Sequence, residues 1–374
     1  MEVRSTETRG ETSPQLNTYH GVKVLVAMSG GVDSSVAALV LRDAGYDCIG
    51  ATMKLFDGDS RCCSLADVND ARDVCFRLGI PHYVLNFKRE FAERVMDRFV
   101  GVYLSGATPN PCIDCNRFIK FNSLLMRAQA IDYQMLATGH YARIEKSGSR
   151  YLLKKGADGA KDQSYVLYAM TQEELSRTLF PLGGMTKEEV REIAAAHRLI
   201  NAQKKDSQDI CFVPDGDYGA FIEARTGTKT VPGDILDTAG TKIGVHKGYC
   251  RYTIGQRRGL GVSAGEPLYV AAKSARNNTV TLAPDAALYS TTLTANDLNL
   301  IALEHLDKPL RVTIKTRYLH KGSLALVTQI DEHAIRADFD EPQRAVTPGQ
   351  AAVFYDGDVV IGGGTIQGQW DCPQ

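Results

Sequence analysis

The chain has 374 residues, of which 44% are hydrophobic and 23% charged, and its formal net charge is −1. This length allows two or three domains with a large core, no apolar run approaches the ~20 residues of a membrane span, and any nucleic-acid surface must be a local patch. The first twenty residues are polar and lack the apolar stretch of a signal peptide, so a flexible tail over 1–20 and a cytoplasmic location are expected.

The stretch from Val22 to Ala44 predicts a strand, a glycine-rich turn and a helix. Residues 22–28 are apolar with β-branched members, and apolar residues recur at helical spacing over 36–41. Gly30 and Gly31 in the turn allow close approach of phosphate to the backbone, where N–H groups and the helix dipole attract anions. Hydroxyl donors are available from Ser29, Ser34 and Ser35.

The turn is neither a Walker A loop nor a dinucleotide-binding G-x-G-x-x-G. Residues 29–34, SGGVDS, resemble instead the pyrophosphate loop of enzymes that split ATP between its α- and β-phosphates. Because Asp33 would repel phosphate unless a cation lay between them, Mg²⁺ is expected beside it.

Alternating strands and helices follow the turn. Strands are predicted over 48–55 and 82–87, with a helix over 66–78 between them. This rhythm indicates an α/β fold with a parallel sheet covered by helices on both faces, in which ligands bind at the carboxyl ends of the strands.

Further elements complete a catalytic domain over 21–214. They are helices over 88–104, 118–130, 172–179 and 187–199, a strand over 133–139, and a hairpin over 143–155 that turns at Gly148. Thr171 and Thr186 are the expected N-caps of the last two helices.

From residue 215 onward, turns and short alternating strands predominate. Strands are predicted over 268–272, 279–282, 310–314, 324–330, 334–339, 351–354 and 359–362. This pattern predicts a small β-rich domain over 215–290 and a C-terminal β-barrel over 291–374.

Three of the nine cysteines lie where chemistry is plausible. Cys112 and Cys115 form a C-x-x-C after Asn110-Pro111, near the start of a helix whose dipole lowers the pKa of a thiol. Cys211 lies where the α/β region ends. A zinc site of four cysteines normally has two such pairs, and this chain has one, so structural zinc is disfavoured.

Six motifs in order resemble the tRNA-specific 2-thiouridylase family over the chain from Lys23 to its end. They read SGGVDSS, TPNPCIDCNRFIKF, ATGHYAR, KDQSYVLY, SQDICF and YTIGQRRGLG. The resemblance implies an enzyme that uses ATP to adenylate the 2-oxygen of the wobble uridine and replaces that oxygen with sulfur, releasing AMP and pyrophosphate. It also implies tRNA and a sulfur-donor protein as partners, and no membrane.

The same resemblance implies roles for individual residues. The cysteine matching Cys211 would carry sulfur as a persulfide, and the one matching Cys115 would attack it, leaving a disulfide. ATP would be held by Ala27, Met28, Ser29, Gly30, Gly31, Val32, Asp33, Ser34, Met53 and Gly139. The target base would be held by Asn110, Pro111 and Cys112, and tRNA by His140, Lys161, Asp162, Gln163, Arg317, Tyr318 and Gln350.

The residues alone leave several of these roles open. Without the resemblance, His140 reads as a strand-end histidine, 161–163 as a solvated turn, and Arg317 and Tyr318 as strand residues. Arg317 and Tyr318 do lie among Lys315, His320 and Lys321, a basic cluster suited to phosphates.

One departure from the family concerns Cys112, where many members have aspartate. Cys112, Cys115 and Cys211 together are three thiolates, and related tRNA thiolases bind a [4Fe–4S] cluster through three cysteines. The persulfide and cluster routes both stay open at this point.

Two other classes of function are alternatives. An amide-forming ligase with the same loop would need neither Cys115 nor Cys211. An RNA-binding or zinc-stabilised module would release no pyrophosphate from ATP.

Overall fold

The computed structural model describes residues 19–57, 64–204, 210–213 and 215–368. The expected tail over 1–20 therefore lies almost wholly outside the described residues. Within those ranges, no helix is long and apolar enough to cross a membrane.

Residues 19–204 form alternating strands and helices. The strands are β1 (Lys23–Ala27), β2 (Asp47–Lys54), β3 (His82–Asn86), β4 (Met135–Ala137), β5 (Ala142–Ser147), β6 (Arg150–Lys155) and β7 (Thr178–Leu179). The helices are α1 (Val32–Asp43), α2 (Leu65–Leu78), α3 (88–104), α4 (111–130), α5 (Gln172–Ser176) and α6 (Lys187–Ala196). Helices α3 and α4 each contain a π-helical section, Ala92–Met96 and Cys115–Leu124 respectively.

Five of these strands form one parallel sheet in the order β3-β2-β1-β4-β7. Successive residues of β1 point to opposite faces, so Leu25 packs into one hydrophobic cluster while Val24 and Val26 pack into another. The sheet is therefore covered on both sides, and the loop after β1 lies at its carboxyl end, as expected.

The ends of the helices follow local sequence signals. Thr171 and Thr186 cap α5 and α6 through reciprocal bonds with Glu174 and Glu189, which confirms both predicted N-caps. Helix α4 begins earlier than the predicted residue 118, because Asn110 caps it and Pro111 occupies its first turn.

Two predicted elements differ in the structure. The helix expected over 172–179 ends at Ser176, and Thr178–Leu179 instead pairs with Leu136 and Ala137 at the sheet edge. The hairpin turning at Gly148 is present, but β6 pairs with a strand of the C-terminal domain, through Leu153 with Val360. Such long-range pairing leaves no mark on a local sequence pattern.

The remaining chain is β-rich, as expected. A four-stranded sheet contains β8 (Gly233–Leu236), β9 (Lys242–His246), β10 (Tyr269–Ser274) and β11 (Thr279–Ala283), preceded by α7 (Tyr218–Thr226). The last six strands are β12 (Tyr289–Leu300), β13 (Leu310–Lys315), β14 (Ser323–Asp331), β15 (Ala334–Arg344), β16 (Ala351–Asp356) and β17 (Val359–Ile366). They close into a barrel through pairing of β12 with β17, so the predicted fold class is confirmed.

Candidate active site between the phosphate loop and the barrel

The loop joining β1 to α1 has the geometry of a phosphate cradle. Gly30 has φ +73°, and any Cβ there would collide with the Asp67 carbonyl of α2, so only glycine fits. Gly31 is the N-cap of α1 and has extended backbone. The N–H groups in the first turn of α1, a twelve-residue helix, therefore lie at the carboxyl end of the sheet.

The three serines of the loop have different roles. The hydroxyls of Ser34 and Ser35 each donate to the Gly31 carbonyl at 3.0 Å, so they stabilise the loop itself. The Ser29 side chain is exposed, and its Oγ lies 3.3 Å from Ser34 Oγ and 3.4 Å from the Gly31 nitrogen. Ser29 is thus the serine whose hydroxyl faces solvent beside the cradle.

Asp33 is neutralised by a buried lysine. The Lys187 ammonium, in a residue that is 5% exposed, donates to both carboxylate oxygens of Asp33 at 2.8 Å. The Tyr141 hydroxyl donates to one of the same oxygens at 2.8 Å. The sequence argument assigned the neutralising charge to Mg²⁺, and the structure supplies a cation from α6.

Gly139 and His140 follow β4 and pack beside the loop. A Cβ on Gly139 would lie 2.8 Å from the backbone of Asp33 and Ser34, so this approach requires glycine. His140 is 8% exposed, with Nδ1 2.7 Å from the Thr138 hydroxyl and its ring against Phe121 and Phe180. Burial, and then the charge of Lys120, lowers the pKa of His140 well below its usual value. In this conformation the histidine is a neutral interior residue.

The segment carrying the C-x-x-C is held by the barrel. Asn110 Oδ1 accepts from the Cys112 amide at 3.2 Å, which places the exposed Cys112 in the first turn of α4. The side-chain amide nitrogen of Gln350 (Nε2) donates to the backbone carbonyls of Thr108 and Pro109 at 2.9 and 3.1 Å. The Thr108 amide donates to the Pro348 carbonyl at 2.9 Å. The loop before β16, through Pro348 and Gln350, is therefore hydrogen-bonded to the backbone that leads into Cys112.

A series of hydrogen bonds leads from Asp33 to Tyr318, whose hydroxyl is within electrostatic range of the Cys112 thiol. Tyr141, which bonds Asp33, exchanges bonds with Gln163: its amide donates to Gln163 Oε1 at 3.0 Å, and its carbonyl accepts from the Gln163 amide at 2.9 Å. The Tyr318 hydroxyl, from the barrel, donates to the neighbouring Asp162 carbonyl at 3.1 Å. Burial, the Asp162 carboxylate and the Cys112 thiol, in that order, raise the pKa of Tyr318. The phosphate loop and the C-x-x-C thus belong to one region.

Helix α3 contacts the residues that flank Cys115 and Cys211 in the sequence. Arg98 of α3 pairs at 3.0 Å with Asp114, the residue before Cys115. The adjacent Phe99 packs edge-on against Phe212, the residue after Cys211, at 5.3 Å between ring centroids. Both cysteines are half-buried against the same hydrophobic cluster.

Asp114 is an unusual carboxyl in this region. Burial raises its pKa to about 6, although the charges of Arg98 and Arg117 act in the opposite direction. Arg117 in turn pairs with Asp297 of the barrel strand β12.

No group of three or more His, Cys, Asp or Glu side chains is arranged to hold a metal ion within the ranges described. Those ranges include Cys112, Cys115 and Cys211. The carboxylate of Asp33, beside which the sequence predicts Mg²⁺, is already paired with the Lys187 ammonium.

The structure assigns internal contacts to several residues for which the sequence predicts RNA contacts. The Asp162 carboxylate accepts from the amides of Gly156 and Ser164 and from the Ser164 hydroxyl, so it organises a turn. Arg317 is exposed and donates to the Arg344 carbonyl at 3.4 Å. Met53 is half-buried at the end of β2, and Ala27, Met28 and Val32 lie at the ends of β1 and α1 beside the loop.

Sequence reasoning missed Tyr141 and Lys187. Tyr141 stands directly after His140 in the motif ATGHYAR, so its position was a usable signal. Lys187 begins an ordinary amphipathic helix far along the chain, and nothing local distinguishes it from a surface lysine.

Family models match the chain in three consecutive parts. The model described as tRNA methyl transferase HUP domain matches residues 22–215. The tRNA methyl transferase PRC-barrel domain matches 219–284, and the Aminomethyltransferase beta-barrel domain matches 290–366.

Curated relatives match nearly from end to end. The tRNA-specific 2-thiouridylase MnmA of Lachnoclostridium phytofermentans is 51% identical over 353 residues, 92% of this chain and 99% of that one. The MnmA of Clostridioides difficile is 48% identical, with 92% and 98% coverage. A solved 4-thiouridine synthetase–RNA complex with bound ATP aligns at 20% identity and a TM-score of 0.34, over 52% of this chain and 46% of that one. From the family models and the curated relatives, which are 48–51% identical, the chain belongs to the tRNA-specific 2-thiouridylase family.

Proposed function

We propose that this protein is an ATP-dependent tRNA sulfurtransferase that makes 2-thiouridine at the wobble position. The family supports the reaction class. The observation that carries the proposal is the series of hydrogen bonds from Asp33 through Tyr141 and the adjacent Asp162–Gln163 backbone to Tyr318. The Tyr318 hydroxyl is within electrostatic range of the Cys112 thiol, which brings the nucleotide loop and the thiol-bearing loop into one region.

In the first half-reaction, the uridine 2-oxygen attacks the α-phosphate of ATP and pyrophosphate leaves. This step converts a poor leaving group into AMP. The open N–H groups at the start of α1 suit the pyrophosphate, which gains negative charge as the bond breaks. Mg²⁺ would be held mainly by the nucleotide phosphates, because Asp33 already carries the Lys187 ammonium.

In the second half-reaction, sulfur attacks the 2-position and AMP departs. Cys211 would carry the sulfur as a persulfide received from a sulfur-donor protein. Attack of the Cys115 thiolate on the inner sulfur would release sulfide to the activated uridine and leave a Cys115–Cys211 disulfide, which a thiol reductant then reopens. Asp114 and Phe212, the neighbours of the two cysteines in the sequence, both contact α3, which supports this pairing. A [4Fe–4S] cluster held by Cys112, Cys115 and Cys211 is the alternative sulfur carrier, and the iron measurement below distinguishes the two routes.

The tRNA would lie across the junction of the catalytic domain and the barrel. Asn110, Pro111 and Cys112 would line the place of the target base, with Lys161, Gln163, Arg317 and Tyr318 beside it. For His140, Asp162 and Gln350, the internal bonds described above favour an indirect role, in which they fix backbone that touches RNA.

The proposal is tested by separating the two half-reactions. In Cys115→Ser and Cys211→Ser, single-turnover release of pyrophosphate with tRNA should persist, while 2-thiouridine should fall to background. Cys48→Ala is the matched control, because Cys48 is buried in the opposite cluster of the sheet. Full thiolation in both serine variants would overturn the cysteine roles. Absence of tRNA-dependent pyrophosphate release in the wild type would overturn the function itself.

A second measurement concerns the cluster route. Protein purified without oxygen should be free of iron and active with a persulfide donor. Activity that depends on bound iron would contradict the persulfide route.

A further inference from the structure

Two residues that follow α6, Asn201 and Lys204, donate hydrogen bonds to the phosphate loop. Asn201 is 3% exposed, and its Nδ2 donates to the Gly30 carbonyl at 3.1 Å and to Ser35 Oγ at 2.8 Å. The Lys204 ammonium donates to the same Gly30 carbonyl at 3.2 Å. The Gly30 carbonyl oxygen therefore accepts hydrogen bonds from two side chains that lie 171 and 174 positions further along the sequence.

These bonds fix the direction of one peptide plane. The described backbone has no cis peptide bonds, and in a trans peptide the C=O and N–H point in opposite directions. Holding the Gly30 carbonyl toward Asn201 and Lys204 therefore turns the Gly31 N–H toward the open side of the loop. There it reaches the exposed Ser29 hydroxyl at 3.4 Å, a long bond that a phosphate oxygen could readily replace.

Lys204 also neutralises acidic side chains beside the loop. Its ammonium donates at 2.6 Å to both Asp67 Oδ1 and Asp70 Oδ2. Asp67 is the residue whose carbonyl excludes a side chain at Gly30, so these carboxylates lie against the cradle. Without the lysine, their charges would oppose a polyphosphate.

We propose that Asn201 and Lys204 are positioning residues for nucleotide binding, which act through the Gly30 carbonyl to present the Gly31 N–H to phosphate. The inference rests on the proposed function in one respect, namely that this loop binds the phosphates of ATP. Both side chains act on the Gly30 carbonyl of the phosphate loop, so the expected effect is on binding of the phosphates.

The test compares a nucleotide with and without phosphates. Full-length wild type, Asn201→Ala and Lys204→Met are titrated calorimetrically with α,β-methylene-ATP, which the enzyme cannot cleave, and separately with adenosine. We expect each variant to bind the analogue about tenfold more weakly, which is within the range that a single hydrogen bond contributes, and to bind adenosine as the wild type does. Lys204→Arg keeps a cationic donor and should restore most of the affinity.

The control variant is Lys23→Met, which removes a comparable lysine–aspartate pair with Asp132 at the opposite end of β1. It should leave the affinity for the analogue unchanged. Unaltered affinity for the analogue in both Asn201→Ala and Lys204→Met, or an equal loss for adenosine, would overturn the inference. Failure of the wild type to bind the analogue would instead overturn the proposed nucleotide site.

Discussion

The Nζ atom of Lys187 lies 2.8 Å from both carboxylate oxygens of Asp33, so helix α6 supplies the cation that the phosphate loop requires. Lys187 is almost fully buried, whereas the Asp33 side chain is 30% exposed. Nucleotide phosphates approaching the loop therefore meet a carboxylate whose charge is already balanced.

We expect Lys187→Met to destabilise the protein by about 1–3 kcal/mol, less than for a fully buried pair because water still reaches Asp33. The double variant Asp33→Asn/Lys187→Met should recover part of that loss, because it leaves no unpaired charge. Urea unfolding of the four proteins of this cycle measures the coupling. Losses that simply add would show that the pair does not matter for stability.

Gln350 gives a second prediction, because its amide holds the backbone of Thr108 and Pro109 just before the C-x-x-C. Gln350→Ala removes two neutral hydrogen bonds, each worth about 1 kcal/mol. We expect kcat/KM for tRNA thiolation to fall about tenfold while the affinity for α,β-methylene-ATP is unchanged, since the phosphate loop is not touched.

Gln367→Ala is the matched control, because that glutamine bonds only within the barrel in the part of the chain described. Its kinetics should equal those of the wild type. Thiolation by Gln350→Ala at the wild-type rate would show that the bonds from Gln350 to Thr108 and Pro109 do not support the loop that carries Cys112 and Cys115.

How far the sequence predicted this structure depends on how local each signal is. The strand, turn and helix around Gly30 are specified by residues that are adjacent in the sequence. The N-caps Thr171 and Thr186 each bond a residue only three positions further along the chain. The bonds of Lys187 to Asp33 and of Gln350 to Thr108 span 154 and 242 positions. No periodicity or propensity reports such contacts, because they depend on how separate elements pack.

The same distinction explains His140. Its place at the end of a strand in a family motif suggested contact with tRNA, but Phe121 and Phe180, from two other elements, enclose its ring. Sequence order placed the residue correctly just after the end of β4. Only packing reveals that the side chain faces the interior.

Tyr318 gives a third prediction, which separates its ring from its hydroxyl. The side chain is 37% exposed, and its hydroxyl donates to the Asp162 carbonyl. Stacking of a base on an aromatic ring contributes about 1–3 kcal/mol, so Tyr318→Ala should weaken tRNA binding at least fivefold. Tyr318→Phe keeps the ring and should bind tRNA within about twofold of the wild type in filter-binding assays. Equal weakening in both variants would assign the effect to the hydroxyl bond instead.

Asp114 gives a prediction for pH, because burial raises its pKa well above the usual value for an aspartate, to about 6. Between pH 4 and 6 the native state keeps a proton that the unfolded chain has released, so the contribution of this group to stability falls as pH rises through that window. Above pH 6 both states are ionised and the contribution is constant. Asn at position 114 cannot titrate, so Asp114→Asn is the reference. The free energy of unfolding of the wild type minus that of this variant should drop between pH 4 and 6, by on the order of 3 kcal/mol at most. Above pH 6 the difference should stay constant.

Asp132 provides the internal comparison, because its hydrogen bond to Lys23 lowers its pKa and the sign of its linkage is opposite. Relative to Asp132→Asn, the wild type should hold or gain stability as pH rises from acid values. Urea unfolding at pH 4, 5, 6 and 7 measures both differences. A flat profile for Asp114→Asn would mean that the Arg98 pair at 3.0 Å outweighs burial and keeps the carboxylate ionised next to Cys115 throughout this range.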